Sequence, residues 1–244
     1  YIDEMKLRLN ELFVVQPKAD LVVKAVEAFR EKSAGKAFYN RPSPDGTRPG
    51  RYYANLYDMN NMPKYQMEAL AFHEGLPGHH MQISLGMELT GIPEFRKYGH
   101  YTAYSEGWGL YTELLPKEIG FYQDPYSDFG RLAMELWRAC RLVVDTGIHN
   151  KKWTRAQGLE YYVTNTPNAE SDAVKMVERH VVMPSQATAY KIGMLKIVQL
   201  RAMAKQQLGD KFDIRQFHDV VLTNGAVPLN VLEDMVHDYI ELNR

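Results

Sequence analysis

Residues 71–82 read AFHEGLPGHHMQ, and the fold turns on this stretch. It predicts two helices, near 64–74 and 79–90, separated by a break over residues 75–78. A His-Glu pair followed closely by another His is how zinc hydrolases place two imidazoles on one metal, with the Glu positioned to deprotonate the metal-bound water. The usual spacing between the two histidines is four; here it is six to His79 or seven to His80. On an unbroken helix His73 and His80 would share a face but lie ~10 Å apart along the axis, whereas two nitrogens on one zinc must almost touch. Pro77 offers no N–H to the carbonyl of His73 and its ring clashes there, so the helix should break. Gly78 then permits an unusual dihedral pair. Looping out residues 75–78 would make His79 the second ligand, in preference to His80. The plainer reading is a set of histidines in a Gly/Pro-rich turn.

Working outward, residues 105–113 read SEGWGLYTE on a predicted helix. Glu106 lies 27 residues beyond His79, and a carboxylate from a second helix is the usual third ligand of glutamate-type zinc peptidases. Three ligands leave a position open for water. Glu113, two turns further on nearly the same face, fits either an acceptor that orients a ligand histidine or a solvated helix carboxylate. Arg141, Asp145 and His149 stand at successive i, i+4 positions and so share a helix face. In one reading Asp145 orients His149 towards the substrate or the oxyanion; in the other the three form a salt-bridged packing stripe.

The remaining pattern predicts a mainly α protein with a small N-terminal β-sheet. Strands are expected over 11–16, 36–40 and 51–57, with a helix over 20–32. Further helices are expected near 101–116, 127–150, 154–164, 169–181, 185–207, 213–223 and 228–242. Residues 1–60 then form a small sheet with a helix and residues 61–244 a helical metal-binding body, the two making one structural unit. Residues 52–55 (YYAN) read as an edge strand on which an extended substrate can align, or as plain sheet.

Composition narrows the function classes. The chain has 244 residues, 45% apolar and 24% charged, which excludes disorder. With 29 Lys plus Arg against 30 Asp plus Glu there is no basic surplus for a phosphate backbone, so nucleic acid is not an expected partner. Apolar runs such as residues 142–144 fall far short of the ~20 a membrane helix needs. A single cysteine, Cys140, excludes an intrachain disulfide and a Cys-based zinc site, so any metal falls to His and carboxylate. A start at Tyr1, with no signal peptide, reads as a piece of a longer chain. Paired Glu-x-x-His motifs are absent, which argues against a di-metal carboxylate bundle.

Four ordered segments resemble the bacterial domain-of-unknown-function family 885: HE..PGH at 73–79, EGW..Y.E at 106–113, R...D...H at 141–149 and PxQAxxYxxG at 184–193. The match spans roughly residues 37–205. The family looks like a branch of the helical, zincin-like glutamate zinc metallopeptidases. The resemblance implies zinc at His73, His79 and Glu106, Glu74 as the catalytic carboxylate, and a helical N-terminal half of the same protein as a partner. By analogy with helical zinc peptidases, Tyr190 is the first candidate for oxyanion donor, with His149 the second. Arg179 and His180 read as ligands for a peptide carboxylate or as ordinary surface residues. The expected function is zinc-dependent hydrolysis of a peptide substrate, in the periplasm or cell envelope if a signal precedes this segment. The alternative is a non-catalytic helical metal-binding or interaction domain, and Glu74 discriminates, because a structural site has no use for a carboxylate beside its first ligand.

Overall fold

Apolar periodicity punctuated by Pro and Gly builds a mainly α protein with one small sheet. The computed structural model describes residues 1–59 and 62–244. The boundary expected between residues 60 and 61 lies outside the described residues. The helices are α1 (Ile2–Arg8), α2 (Met67–Glu74), α3 (His79–Glu88), α4 (Glu94–Tyr98), α5 (Thr102–Glu118), α6 (Pro125–Lys151), α7 (Arg155–Asn165), α8 (Glu170–Val182), α9 (Ala189–Leu208), α10 (Ile214–Leu222) and α11 (Leu229–Asn243). Short 3-10 turns lead into α2 at Lys64–Gln66 and into α9 at Gln186–Thr188. Each long helix expected from residue 64 onward is present; α4 is additional. No described helix is long and apolar enough to cross a membrane.

The sheet runs β1 (Leu21–Ala25), β3 (Gly50–Ala54), β2 (Ala37–Asn40), with β1 parallel and β2 antiparallel to the central strand. Three expectations need correction. Residues 11–16 are not a strand: Leu9–Glu11 is a 3-10 turn, and the consecutive side chains of Leu12 and Phe13 both enter the main core. The Leu12 carbonyl accepts from His218 Nδ1 at 2.8 Å, not from a neighbouring strand. Residues 20–32 are not a helix. Their first part pairs residue for residue with β3, a use suited to the β-branched Val22 and Val23. Phe29, counted towards an apolar helix stripe, is 85% exposed. Because β1 occupies one side of β3, residues 52–55 belong to the central strand and its end, not to an edge; β2 is an edge of the sheet.

The helical body is organised around α5, whose Trp108, Tyr111 and Leu115 are fully buried. Its contact with α9 is set by a glycine pair. A Cβ on Gly107 would lie 2.4 Å from the Cα of Gly193, and one on Gly193 would lie 1.9 Å from the Ala103 carbonyl. Only hydrogen at both positions lets the backbones approach this closely. The long α6, capped by Asp124 accepting from the Tyr126 N–H, spans the back of the cleft and packs Trp137, Cys140 and Val144 into a second core with α7 and α8.

Candidate metal centre

The helix break is where residues 75–78 predict it. α2 ends at Glu74, the chain passes through a cis Leu76–Pro77 bond, and α3 begins at His79. Trp108 Nε1 donates to the Pro77 carbonyl at 3.0 Å and holds the break against α5. A Cβ on Gly78 would sit 2.0 Å from the His73 carbonyl, so only glycine lets the chain double back this tightly. The reversal brings the rings of His73 and His79 to 4.7 Å between centroids, nearly perpendicular at 84°.

Glu106 enters from α5. Its Oε2 is 3.3 Å from His79 Nε2 and 3.5 Å from His73 Nε2. Ligand atoms of the three side chains all lie within 4.8 Å of one another. Glu106 Oε2 is buried without a hydrogen-bond partner. A buried carboxylate oxygen left unpaired between two imidazole nitrogens is an arrangement that could hold a cation, because an orphaned acceptor of this kind is otherwise costly. Two nitrogens and one oxygen suit zinc.

Around the three, a further layer fixes their orientation. His73 Nδ1 donates to Glu113 Oε1 at 2.8 Å, and Arg138 Nη2 donates to the same oxygen at 2.9 Å. With Nδ1–H committed, Nε2 is the ring atom directed to the cluster, where it carries a proton towards Glu106 unless a metal takes its place. Burial lowers the His73 pKa, but the Glu106 and Glu113 carboxylates overcome it and hold the imidazole up at about 9. Burial raises Glu106, yet His73 and His79 pull it well below the usual carboxylate range. Glu74 is buried beside them, and there burial wins: its carboxyl is pushed up, with His79 and His73 opposing.

Tyr190 stacks near His73, centroids 6.2 Å apart and planes 22° from parallel. Its hydroxyl accepts from Gln186 Nε2 at 3.1 Å, and the same amide reaches Glu106 Oε1 at 3.4 Å. The phenol proton is therefore left to donate elsewhere. These groups open on a cleft of about 990 Å³, bordered by the sheet on one side and by α6 and α8 on the other.

The other expected site residues divide. Arg141 and Arg179 line the cleft. Tyr52 is buried next to Glu74, whose charge, after burial, raises its phenol pKa. Asn55 is structural, donating through Nδ2 to the carbonyls of Glu31, Ala34 and Gly35 and so locking the loop that borders the cleft. His80 turns away: Nε2–H donates to the Ala19 carbonyl at 3.0 Å and Nδ1 accepts from the Tyr39 hydroxyl at 2.9 Å. The ladder expected on α6 does not form, because each member finds a partner on another element. Arg141 lies over the Tyr190 ring, Asp145 accepts from the Ser185 N–H, and His149 Nε2 donates to the His180 carbonyl at 2.8 Å. His149 is thus tied to α8 and is not among the residues that line the cleft. His180 is buried, with Nε2 on the Tyr162 hydroxyl at 2.7 Å.

Two residues escape the sequence reading. Gln186 carried a signal, standing four residues before Tyr190 within the quoted PxQAxxY segment. Arg138 carried only its place one turn before Arg141, and nothing in that spacing says that it meets Glu113.

Among solved structures, the chain is 46% identical to a protein described as a "putative lipoprotein" from Colwellia psychrerythraea, with a TM-score of 0.97 over 99% of this chain and 42% of that one. A "putative lipoprotein of unknown function" from Shewanella oneidensis shares the fold at 23% identity, TM-score 0.82, over 97% of this chain and 44% of that one. The chain therefore spans less than half the length of either. No curated protein matches it. The family described as "Bacterial protein of unknown function (DUF885)" matches residues 1–236, nearly the whole length, and the chain belongs to that family.

Proposed function

We propose that this chain is the metal-bearing part of a zinc-dependent peptide-bond hydrolase. The observation that carries the reading is the unpaired, buried Glu106 Oε2 within reach of His73 Nε2 and His79 Nε2. These three residues would hold zinc. Zinc in such a site supplies Lewis-acid polarisation of the scissile carbonyl and lowers the pKa of water.

This chain's own residues supply the rest. Glu74, one residue beyond His73 and buried beside it, takes the proton of the attacking water and passes it to the leaving amine. Tyr190, anchored through its oxygen by Gln186, donates its phenol proton to the carbonyl oxygen as charge builds there. Glu113 and Arg138 hold the His73 ring in one orientation. β2, a sheet edge bordering the cleft, offers backbone groups to an extended chain, the role the sequence assigned to residues 52–55.

The solved relatives' description as lipoproteins supports a cell-envelope location, and their length supports a larger protein whose remaining portion partners this one. The test is elemental analysis with anomalous diffraction at the zinc edge. One zinc per chain is expected, lost in His73→Ala and kept in Glu74→Gln. Full zinc in His73→Ala would overturn the ligand assignment. Zinc with no peptide hydrolysis by the intact protein would favour a non-catalytic metal-binding domain.

A further inference from the structure

Arg141 is a cation in the cleft wall with no ion-pair partner among the described residues. Its guanidinium carbon stands 4.7 Å from the Tyr190 ring centroid, and its Nε is buried without a hydrogen-bond partner. Asp145, the acid one turn along α6, is taken by the Ser185 N–H. Arg138, one turn the other way, is committed to Glu113. Burial lowers the Arg141 pKa, and Arg138 and Arg179 add like charge.

The carboxylates on that side of the cleft are engaged elsewhere. Asp172 pairs with Lys36 at 2.6 Å and Glu178 with Arg155 at 2.8 Å. Arg179, exposed on α8, also lines the cleft. A half-buried cation whose Nε is cut off from water and left without a counter-ion is held at a cost that an anionic ligand removes, and a guanidinium is shaped to take a carboxylate through paired N–H donors.

We propose that Arg141, assisted by Arg179, binds a carboxylate of the substrate, so that the enzyme trims peptides from a free C-terminus. The inference rests on the peptide-hydrolase reading and deepens it. Distance sets the cut. The Tyr190 ring lies 6.2 Å from the His73 ring and 4.7 Å from the Arg141 guanidinium, so the guanidinium is no further from His73 than the two spans together. A paired carboxylate carbon sits about 4 Å beyond the guanidinium, and an extended chain rises about 3.3 Å per residue, so the scissile bond falls within about five residues of the carboxylate. A C-terminal main-chain carboxylate and an acidic side chain share this chemistry, and the experiment separates them.

The test uses the intact, zinc-loaded protein and acetylated tetrapeptide libraries in three forms: free acid, C-terminal amide, and amide with Glu at the last position. Hydrolysis is followed by mass spectrometry in the wild type, and binding by competition in Glu74→Gln, which reports recognition without turnover. The free acid should be favoured by roughly ten- to hundredfold over the amide, the range for hydrogen bonds to a charged group. Arg141→Gln should abolish that preference, bringing the ratio of acid to amide close to one. Its folding is checked by melting temperature, and Arg179→Gln, at an exposed position, should lower the same preference by a smaller factor even if the Arg141 variant does not fold.

Equal handling of acid and amide by the wild type overturns the proposal, and hydrolysis of both would leave the hydrolase reading standing. A preference that survives both substitutions overturns it too. An acid preference in binding that depends on Arg141, without turnover of any peptide, keeps the carboxylate site and removes the hydrolase reading. Binding of the Glu amide as tightly as the free acid assigns the site to side-chain carboxylates and overturns C-terminal trimming.

Discussion

Two sets of histidines in this molecule, one in the core and one in the cleft, are built on opposite principles. In the core, His218 donates Nδ1–H to the Leu12 carbonyl and accepts at Nε2 from the Tyr111 hydroxyl; His80, with the two nitrogens exchanged, donates Nε2–H to Ala19 and accepts at Nδ1 from Tyr39. Both nitrogens of each ring meet neutral partners, and burial pushes their pKa values down, to about 3 for His218 and about 4 for His80. In the cleft, His73 and His79 converge on carboxylates, and the atoms between them lack partners. A satisfied neutral ring is a structural cross-link; converging rings around an unpaired oxygen are built to receive something. His79 and His80 are neighbours in sequence and fall on opposite sides of this division.

The comparison can be broken most directly at Glu74. In the intact protein Glu74→Gln should lower kcat by roughly 10²- to 10⁴-fold, the range for a lost general base, with zinc content and melting temperature unchanged. Full activity would end the mechanistic reading. The core set should respond the other way. His218→Ala, which opens a cavity and strands the Tyr111 hydroxyl and the Leu12 carbonyl, should cost about 3 kcal/mol or more in urea denaturation while leaving zinc stoichiometry intact.

Glu113→Gln sharpens the boundary between the sets, because the residue is buried yet acts through His73. It should weaken zinc affinity roughly 10- to 100-fold in a chelator competition, with a smaller change in stability. The last effect is the acid slope. Unfolded histidine takes a proton near pH 6.5, whereas folded His218 resists until about 3. The unfolded state therefore binds more protons in this window, and the stability contributed by keeping the ring neutral is complete above pH 6.5 and lost as pH falls towards 3. His218→Gln should flatten the acid limb of the stability profile by up to about 1.4 kcal/mol per pH unit; an unchanged slope would show that other groups set it.

How much of this was legible follows from what local pattern can carry. The long helices were legible because their apolar faces repeat over several turns and are punctuated mostly by Pro or Gly, as α9 is at Gly209. The break at residues 75–78 was legible because a proline removes a specific hydrogen bond. Residues 20–32 misled because Leu21, Val22, Ala25 and Val26 satisfy a helical stripe and a strand alike over so short a run. Residues 11–16 misled because a short run of consecutive hydrophobes says nothing of His218, some 200 residues away, claiming the Leu12 carbonyl. Glu106, Glu74 and Tyr190 were reached through motif and resemblance; Arg138 and Gln186 were not, because their roles exist only through partners on other helices.

By itself the sequence determined a mainly α chain, the position of its helix break, and a histidine–carboxylate vocabulary with no cysteine competitor. Tertiary structure decided which of two adjacent histidines faces the cleft, that residues 52–55 lie in the centre of the sheet, that His149 turns to His180, and that Arg141 is left without a counter-ion. The division is physical. Periodicity and backbone chemistry act within a few residues, whereas pairing a strand, satisfying a ring nitrogen or neutralising a charge depends on which distant surface packs against it.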